Sequence, residues 1–347
     1  MDATEPPFLE AYKALFDCHR VIEAEPVAVE ECELLVIDLS RLGLGEPAER
    51  ETCKAEIARA SKEWGFFQVV NHGISGEILQ RMRDEQTKVF RRPFKEKASD
   101  TFMNFPAGSY RWGTPSATCL QQLSWSEAFH VPLADVSGLG ALSSLSSTME
   151  EFATKVSDLA QKLAEILAEK VGGKSTFFKE NCLPSTCYLR MNRYPPCPIS
   201  SAVFGLMPHT DSDFLTILHQ DQIGGLQLVK DGKWISVKPN CEALIINIGD
   251  LFQAWSNGVY RSVQHRVVTN RVVERFSTAF FFCPSYETVI ESCVEPSVYR
   301  RFSFGEFRHQ VQEDVKKFGY KVGLPRFLVS PGTSNFFQET RELSTYT

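Results

Sequence analysis

Hydrophobic positions recur with a helical spacing in the first half of this chain and with a strand spacing in the second. Over residues 51–64, ETCKAEIARASKEW, the side chains of Ile57, Ala60 and Trp64 fall near one helical face. Gly65 breaks that pattern before the strand-like FFQVVN of residues 66–71. A second helix is predicted from about Gly76 to Phe90, stopped near Pro93. The longest amphipathic pattern covers residues 149–171, where Phe152, Val156, Leu159, Leu163, Ile166 and Leu167 share a face and Gly172 and Gly173 end it. Just before it, residues 135–148, DVSGLGALSSLSST, are rich in Gly and Ser and are predicted to form a mobile surface loop.

Beyond residue 185 the apolar runs become short and β-rich: TCYLRMNRY, LTILHQ, GLQLV, WISV, ALIINI, SVQHRVVT and STAFFFC. Gly and Asp stand where hairpins need them, in DQIGG, KDGK and NIGD. The pattern predicts a sandwich or barrel with helices packed around it. The tail after Pro325 carries no clear periodicity and is expected to be partly disordered.

At 347 residues with 43% hydrophobic and 12% aromatic side chains, the chain can bury a large core. The net charge of -6 is modest and the basic residues form no runs, so the electrostatic footprint of a nucleic-acid binder is missing. No apolar run reaches signal-peptide or membrane-span length, which predicts a soluble intracellular protein, in the cytoplasm and with the nucleus open to it. The ten cysteines sit singly, as cytosolic thiols do, and without the spacing of a zinc cluster. A small-molecule or protein partner is therefore expected.

The polar residues concentrate in PHTDSDFLTILHQD, residues 208–221, where His209 and Asp211 are two apart and share a face if the backbone is extended. Asp213 shares that alternation. Such a pair alone is also what a solvated strand end looks like. His265 lies 54 residues beyond Asp211 in an otherwise apolar strand, and ten residues later Arg275 and Ser277 again stand two apart. In the following TAFFFC every position after the threonine is apolar, so a guanidinium at its mouth needs an anionic partner. That partner is either a protein acid or a carboxylate-bearing ligand bound bidentately, with the Ser277 hydroxyl assisting. Two histidines and a carboxylate on one face of a metal leave other positions free, the arrangement of non-haem Fe(II) oxygen chemistry. A zinc hydrolase is a weaker reading, because no general base is evident and Arg275 stays unexplained.

Taken together, HTD, then HRV, then RFS, with NRYPPC upstream and WGFFQVVNHGI near the N-terminus, resemble the plant Fe(II)/2-oxoglutarate-dependent dioxygenases. The likeness runs from about Leu34 to Leu328. It implies a mixed α/β chain with a double-stranded β-helix core, a jelly-roll of cupin type with helices packed around it. The implied organisation is a helix-rich region over 1–180, the oxygenase core over 181–300 and a C-terminal helix and tail over 301–347. It also implies that His209, Asp211 and His265 hold Fe(II), and that Arg275, Ser277 and Tyr194 bind 2-oxoglutarate with help from Asn192. O2 is then the second co-substrate, with ascorbate supporting activity and succinate as a product. Asp213, His219 and Asp221 are left over.

Residues 109–133, SYRWGTPSATCLQQLSWSEAFHVPL, resemble the gibberellin 2-oxidases, and within them the type acting on C20 gibberellins. That resemblance implies 2β-hydroxylation of a rigid apolar tetracycle bearing carboxylates, inactivating the hormone or its precursor. Arg111 is the expected carboxylate anchor, with Tyr110, Trp112, Trp125 and Phe129 as aromatic walls, unless these rings merely pack the helical layer. Leu226, Gln227 and Phe282 are expected nearer the iron. A flavonoid, alkaloid or other terpenoid remains open as substrate, as does a non-catalytic jelly-roll that binds metal or hormone.

Overall fold

The computed structural model describes residues 4–18, 29–44, 46–139, 144–182, 184–199 and 202–329. The first strands are β1 (Glu31–Cys32), β2 (Val36–Asp38), β3 (Phe66–Val70), β4 (Tyr110–Trp112) and β5 (Glu127–Pro132). They are followed by β6 (Tyr188–Tyr194), β7 (Phe204–His209), β8 (Leu215–Gln220) and β9 (Leu226–Lys230). Then come β10 (Lys233–Val237), β11 (Leu244–Ile248), β12 (His265–Val268) and β13 (Arg275–Phe282). A larger sheet runs β2-β3-β11-β8-β13-β6-β5-β4 and a smaller one β1-β10-β9-β12-β7.

The two sheets face each other as a double-stranded β-helix. Phe66 and Ile245 of the larger sheet pack on Leu226, Leu228, Ile235 and Val237 of the smaller one, giving the interior an apolar floor. The outer face of the larger sheet is covered by helices. Phe276, Phe280, Ile217, Met191 and Phe129 lie there in one cluster with Phe152, Val156, Leu159 and Leu163 of the long helix Ser144–Lys170. Each such side chain contributes roughly 1.5–3 kcal/mol by leaving water.

Local chemistry sets the helix ends. The Ser75 side chain accepts from the Ile78 N–H at the start of helix Gly76–Phe90, and Ser303 does the same for Glu306 at the start of helix Phe304–Phe318. Helix Pro47–Glu63 stops before Gly65, whose φ of +64° and closeness to the Arg261 carbonyl leave no room for a Cβ. Among the described residues no helix is long and apolar enough to cross a membrane.

The loop expected over 135–148 is instead largely packed. Val136, in a 3-10 turn over Leu133–Gly138, and Leu139 just after it are buried, and Leu145, Ser146 and Thr148 already belong to the long helix. The Ser146 hydroxyl donates to the Val136 carbonyl at 2.9 Å, which ties the turn to the long helix. Residues 140–143 lie outside the described residues. Of the expected disordered tail, Phe327 is buried against Phe302 and Phe307, and residues 330–347 lie outside the described residues.

The N-terminal segment closes the outer face. Phe8 stacks on Trp125 at 4.4 Å, and the Tyr12 hydroxyl accepts from the Thr114 N–H at 2.7 Å. Beneath it is a buried charge cluster. Lys97 donates to Glu127 (2.6 Å) and to the carbonyls of Thr4 and Phe90 (both 2.9 Å). Arg193 donates to Glu127 and Glu274 (both 2.8 Å) and to Glu5 (2.7 Å).

Candidate metal and co-substrate site

His209 closes β7 and His265 opens β12, and the two are direct partners across the antiparallel pair. Their ring centroids are 4.3 Å apart. Asp211 lies just past β7, where Gly249 comes so close to neighbouring Asp213 that a Cβ would overlap it. Asp211 Oδ1 is 3.6 Å from His209 Nε2 and Oδ2 is 3.7 Å from His265 Nε2. One ligand atom from each residue lies within 4.8 Å of the others.

The surroundings prepare these atoms for a cation. His209 Nδ1 lies 2.8 Å from the Met207 carbonyl and His265 Nδ1 lies 3.1 Å from that of Val263, so each Nδ1 carries the proton and each Nε2 lone pair faces Asp211. Burial, with His265 alongside, holds the His209 imidazole well below the ordinary histidine range, keeping it neutral. Burial alone would raise the Asp211 carboxyl. The two imidazoles and the donors Thr216 Oγ1 (2.6 Å) and Asn247 Nδ2 (2.8 Å) hold it below the usual carboxylate range. Two imidazole nitrogens and one ionised oxygen on one side of a small gap form a donor set that suits a divalent transition metal.

Asp213 does not join them. It is buried, accepts from Thr216 at 2.9 Å, and burial raises its carboxyl well above the usual range. Asp221 accepts from the Phe276 N–H at 2.5 Å and His219 faces the Cys241 carbonyl, so both serve the scaffold.

The second group lies deeper on the larger sheet, where Arg275 pairs with Tyr194 and Ser277 with Asn192. Arg275 is 2% exposed and has no acidic partner among the described residues. Its Nη2 donates to Gln220 Oε1 at 2.7 Å, its Nη1 to Ser277 Oγ at 3.4 Å, and its Nε has no partner. The guanidinium sits 4.9 Å over the Tyr194 ring, and Asn192 Nδ2 reaches Ser277 Oγ at 3.5 Å. A buried cation with only neutral partners costs several kcal/mol, which a ligand carboxylate would offset. The residues therefore fit both a metal and a carboxylate co-substrate.

The expected substrate residues separate by face. Opposite Ala128, Arg111 lies on the inner side of β4, while Tyr110 and Trp112 point to the outer side. Tyr110 donates to Glu127 at 2.5 Å, Trp112 packs on Phe8 and Phe94, Trp125 stacks on Phe8, and Phe129 is fully buried against Phe90 and Phe105. These four rings pack the helical layer. Leu226 lies in the apolar floor. Gln227 takes the opposite face from Leu226 and accepts from Arg266 Nε at 2.8 Å. Phe282 packs outward on Phe178 and Phe280, and its neighbour Phe281 holds the inner face.

Of the inner-face residues, His130 lies in the 109–133 block that the sequence singled out; sequence reasoning missed Gln220, Thr216 and Asn247, which bind the site residues, and the inner-face residues Tyr188 and Arg190. The alternation backwards from Tyr194 and Asn192 was the available signal for Arg190 and Tyr188. An open groove of about 590 Å³ near Lys88, Arg92 and Met103 lies on the outer helical layer and touches none of these groups.

Residues 185–284 match the 2OG-Fe(II) oxygenase superfamily, and residues 34–137 match the N-terminal region described as non-haem dioxygenase in morphine synthesis. Gibberellin 2-beta-dioxygenase 8 of Arabidopsis thaliana is 64% identical, over 93% of this chain and 98% of its own length. Gibberellin 2-beta-dioxygenase 6 of Oryza sativa subsp. japonica is 49% identical, over 94% and 96%. A crystal structure of JOX2 in complex with 2OG, Fe and JA superposes with a TM-score of 0.69 at 29% identity, covering 89% of this chain and 94% of that one. The rice dioxygenase for auxin oxidation superposes with a TM-score of 0.71 at 28% identity, covering 86% and 100%. The chain belongs to the 2OG-Fe(II) oxygenase superfamily and, within it, to the family of the gibberellin 2-beta-dioxygenases.

Proposed function

We propose that this enzyme hydroxylates a gibberellin of the C20 class at the 2β carbon, using 2-oxoglutarate and O2, and so inactivates the hormone or its precursor in the cytoplasm. His209, Asp211 and His265 would hold Fe(II) by one face. When bound, the iron supplies the oxidising chemistry that couples decarboxylation of 2-oxoglutarate to succinate with hydroxylation of an unactivated C–H bond.

The chain's own residues bind and orient. Arg275 and Ser277 take the distal carboxylate of 2-oxoglutarate, and Asn192 fixes the Ser277 hydroxyl. Thr216 and Asn247 hold Asp211 ionised and immobile through chemistry at the metal. The observation that carries the reaction class is Arg275, buried on neutral partners and opening into the same interior as the His-Asp-His cluster. Kinship to gibberellin 2-beta-dioxygenases supports the substrate, and the YRWG and SWSEAFH strings support the C20 class.

Mass spectrometry of reactions containing Fe(II), ascorbate, 2-oxoglutarate and a panel of C20 and C19 gibberellins tests this. A product heavier by one oxygen from C20 members is expected. Succinate release with no gibberellin product would sink the substrate while leaving the reaction class standing.

A further inference from the structure

Strand β6 carries two arginines three residues apart, and their surroundings could hardly differ more. Arg193, on the outer face, is met by three carboxylates, Glu5, Glu127 and Glu274. Arg190, on the inner face, has no acidic partner among the described residues, and its Nε donates to Asn192 Oδ1 at 2.8 Å. The chain neutralises the guanidinium that faces its helices and leaves bare the one that faces its reaction chamber.

Two more guanidiniums share that condition. Arg111 shares the inner face of β4, and Arg308 comes from helix Phe304–Phe318. Neither has an ion-pair partner among the described residues; Arg111 Nε reaches only the Gly108 carbonyl at 3.4 Å, and Arg308 sits over the Phe304 ring. All three act electrostatically on one side chain, His130, which lies directly opposite Arg190 in the β5–β6 pairing. Burial first, then these three cations, push the His130 imidazole down to about 4, so it is neutral and adds no positive charge of its own.

Beside this cationic cluster stands a wall of three rings stacked across the strands. The His130 ring stacks on Tyr188 at 4.0 Å, and Tyr188 stacks on Phe281 at 4.4 Å and 10°. The wall lies level with the metal ligands, because Phe281 is paired with Thr216, the donor to Asp211, whereas Ser277 lies four residues deeper. Arg190 falls between them, one same-face step of roughly 7 Å from Asn192 at two residues of strand rise.

We propose that Arg190, with Arg308 and Arg111, binds a carboxylate of the organic substrate while the His130–Tyr188–Phe281 wall takes its ring system. The site selects flat or polycyclic apolar acids and rejects their neutral analogues. Naming a gibberellin as that acid rests on the function proposed above, but the anion site itself does not. Arginine binds a carboxylate through paired, charge-assisted hydrogen bonds, the geometry this selection needs.

The test uses the full chain, anaerobic, with Fe(II) and saturating 2-oxoglutarate so that Arg275 is occupied. Pyrenebutyrate and its uncharged counterpart pyrenebutanol are titrated by fluorescence into the wild type, R190A, R190K and R308A. The wild type is expected to prefer the acid, and R190A to lose that preference by about 10- to 100-fold, with R190K keeping part of it. The charge-transfer band of the Fe(II)–2-oxoglutarate complex reports that each variant is folded. A wild type indifferent to the acid, or an R190A that keeps the preference, would overturn the proposal. Repeating the titration with a gibberellin and its methyl ester separates the two ideas: acid preference with pyrenebutyrate but no gibberellin binding removes the hormone and keeps the anion site.

Discussion

The Lys321 ammonium lies 2.7 Å from the Asp250 carboxylate, and the two side chains are only 10% and 4% exposed. The same ammonium donates to the Thr210 carbonyl at 2.9 Å and to Ser212 Oγ at 2.8 Å, the two neighbours of Asp211. A residue beyond the last helix thus clamps the loop that presents the carboxylate ligand. Removing one partner of a buried pair costs about 3–5 kcal/mol. Lys321→Ala should therefore lower the unfolding temperature and weaken Mn(II) binding measured by calorimetry. Unchanged metal affinity would mean that β7 and β8 hold the loop unaided.

Arg275→Ala should raise the 2-oxoglutarate concentration needed for half-saturation by about 100-fold or more, since a desolvated bidentate partner is lost. Metal binding should change little, because Arg275 touches neither histidine nor Asp211. Anaerobic titration of the charge-transfer band measures the first and calorimetry the second. Equal losses in both would show that Arg275 supports the sheet rather than the co-substrate.

His130 supplies a pH signature. Its folded value is pushed down to about 4 by burial and by Arg190, Arg111 and Arg308, against about 6.5 when unfolded. Between those limits the unfolded chain binds the extra proton, so stability is full above about pH 6.5 and falls as pH drops towards about 4. The slope is at most about 1.4 kcal/mol per pH unit. In His130→Gln that component should vanish, so the stability gap between about pH 7 and about pH 5 should narrow relative to wild type in urea titrations. Identical gaps would place the acid sensitivity elsewhere.

Glu127 holds both Lys97 and Arg193 in a cluster where the Lys97 and Glu127 side chains are fully buried. Glu127→Gln should cost about 3–5 kcal/mol, read as a lower denaturant midpoint. Burial already pushes Lys97 below the ordinary lysine range. A loss under about 1 kcal/mol would indicate that Lys97 sheds its proton in the variant and that Glu5 and Glu274 suffice for Arg193.

Much of this architecture is legible in the sequence where one physical signal dominates. The helices Gly76–Phe90 and Ser144–Lys170 follow from apolar spacing, and seven later strands from short β-rich runs. The site residues were legible through two-residue spacings, His209 with Asp211 and Arg275 with Ser277. Failures came where signals conflict. β7 carries Gly205 and Pro208, tolerable because it is the edge of its sheet, so it does not read as a strand. In β13 every position after Ser277 is apolar apart from Thr278, so alternation could not tell Phe281 from Phe282. In β5 the acid at Glu127 faces outward to the helical layer, where its cations come from distant segments. That pairing is invisible along the chain, and the SWSEAFH string was read for substrate when Glu127 within it serves the fold.

The docking of Glu5 onto Arg193 also bears on how the molecule is made. The two residues are 188 positions apart, and Arg193 itself waits for Glu274, a further 81 positions on. At synthesis rates of about 5–20 residues per second, the N-terminal segment waits roughly 10 to 40 seconds on the ribosome before its partner emerges. During that interval the pocket of Phe8 and Tyr12 is incomplete, because Cys197 and Val203 belong to it along with Trp125. The docking of this segment can therefore be completed only after the strands beyond residue 188 have been made.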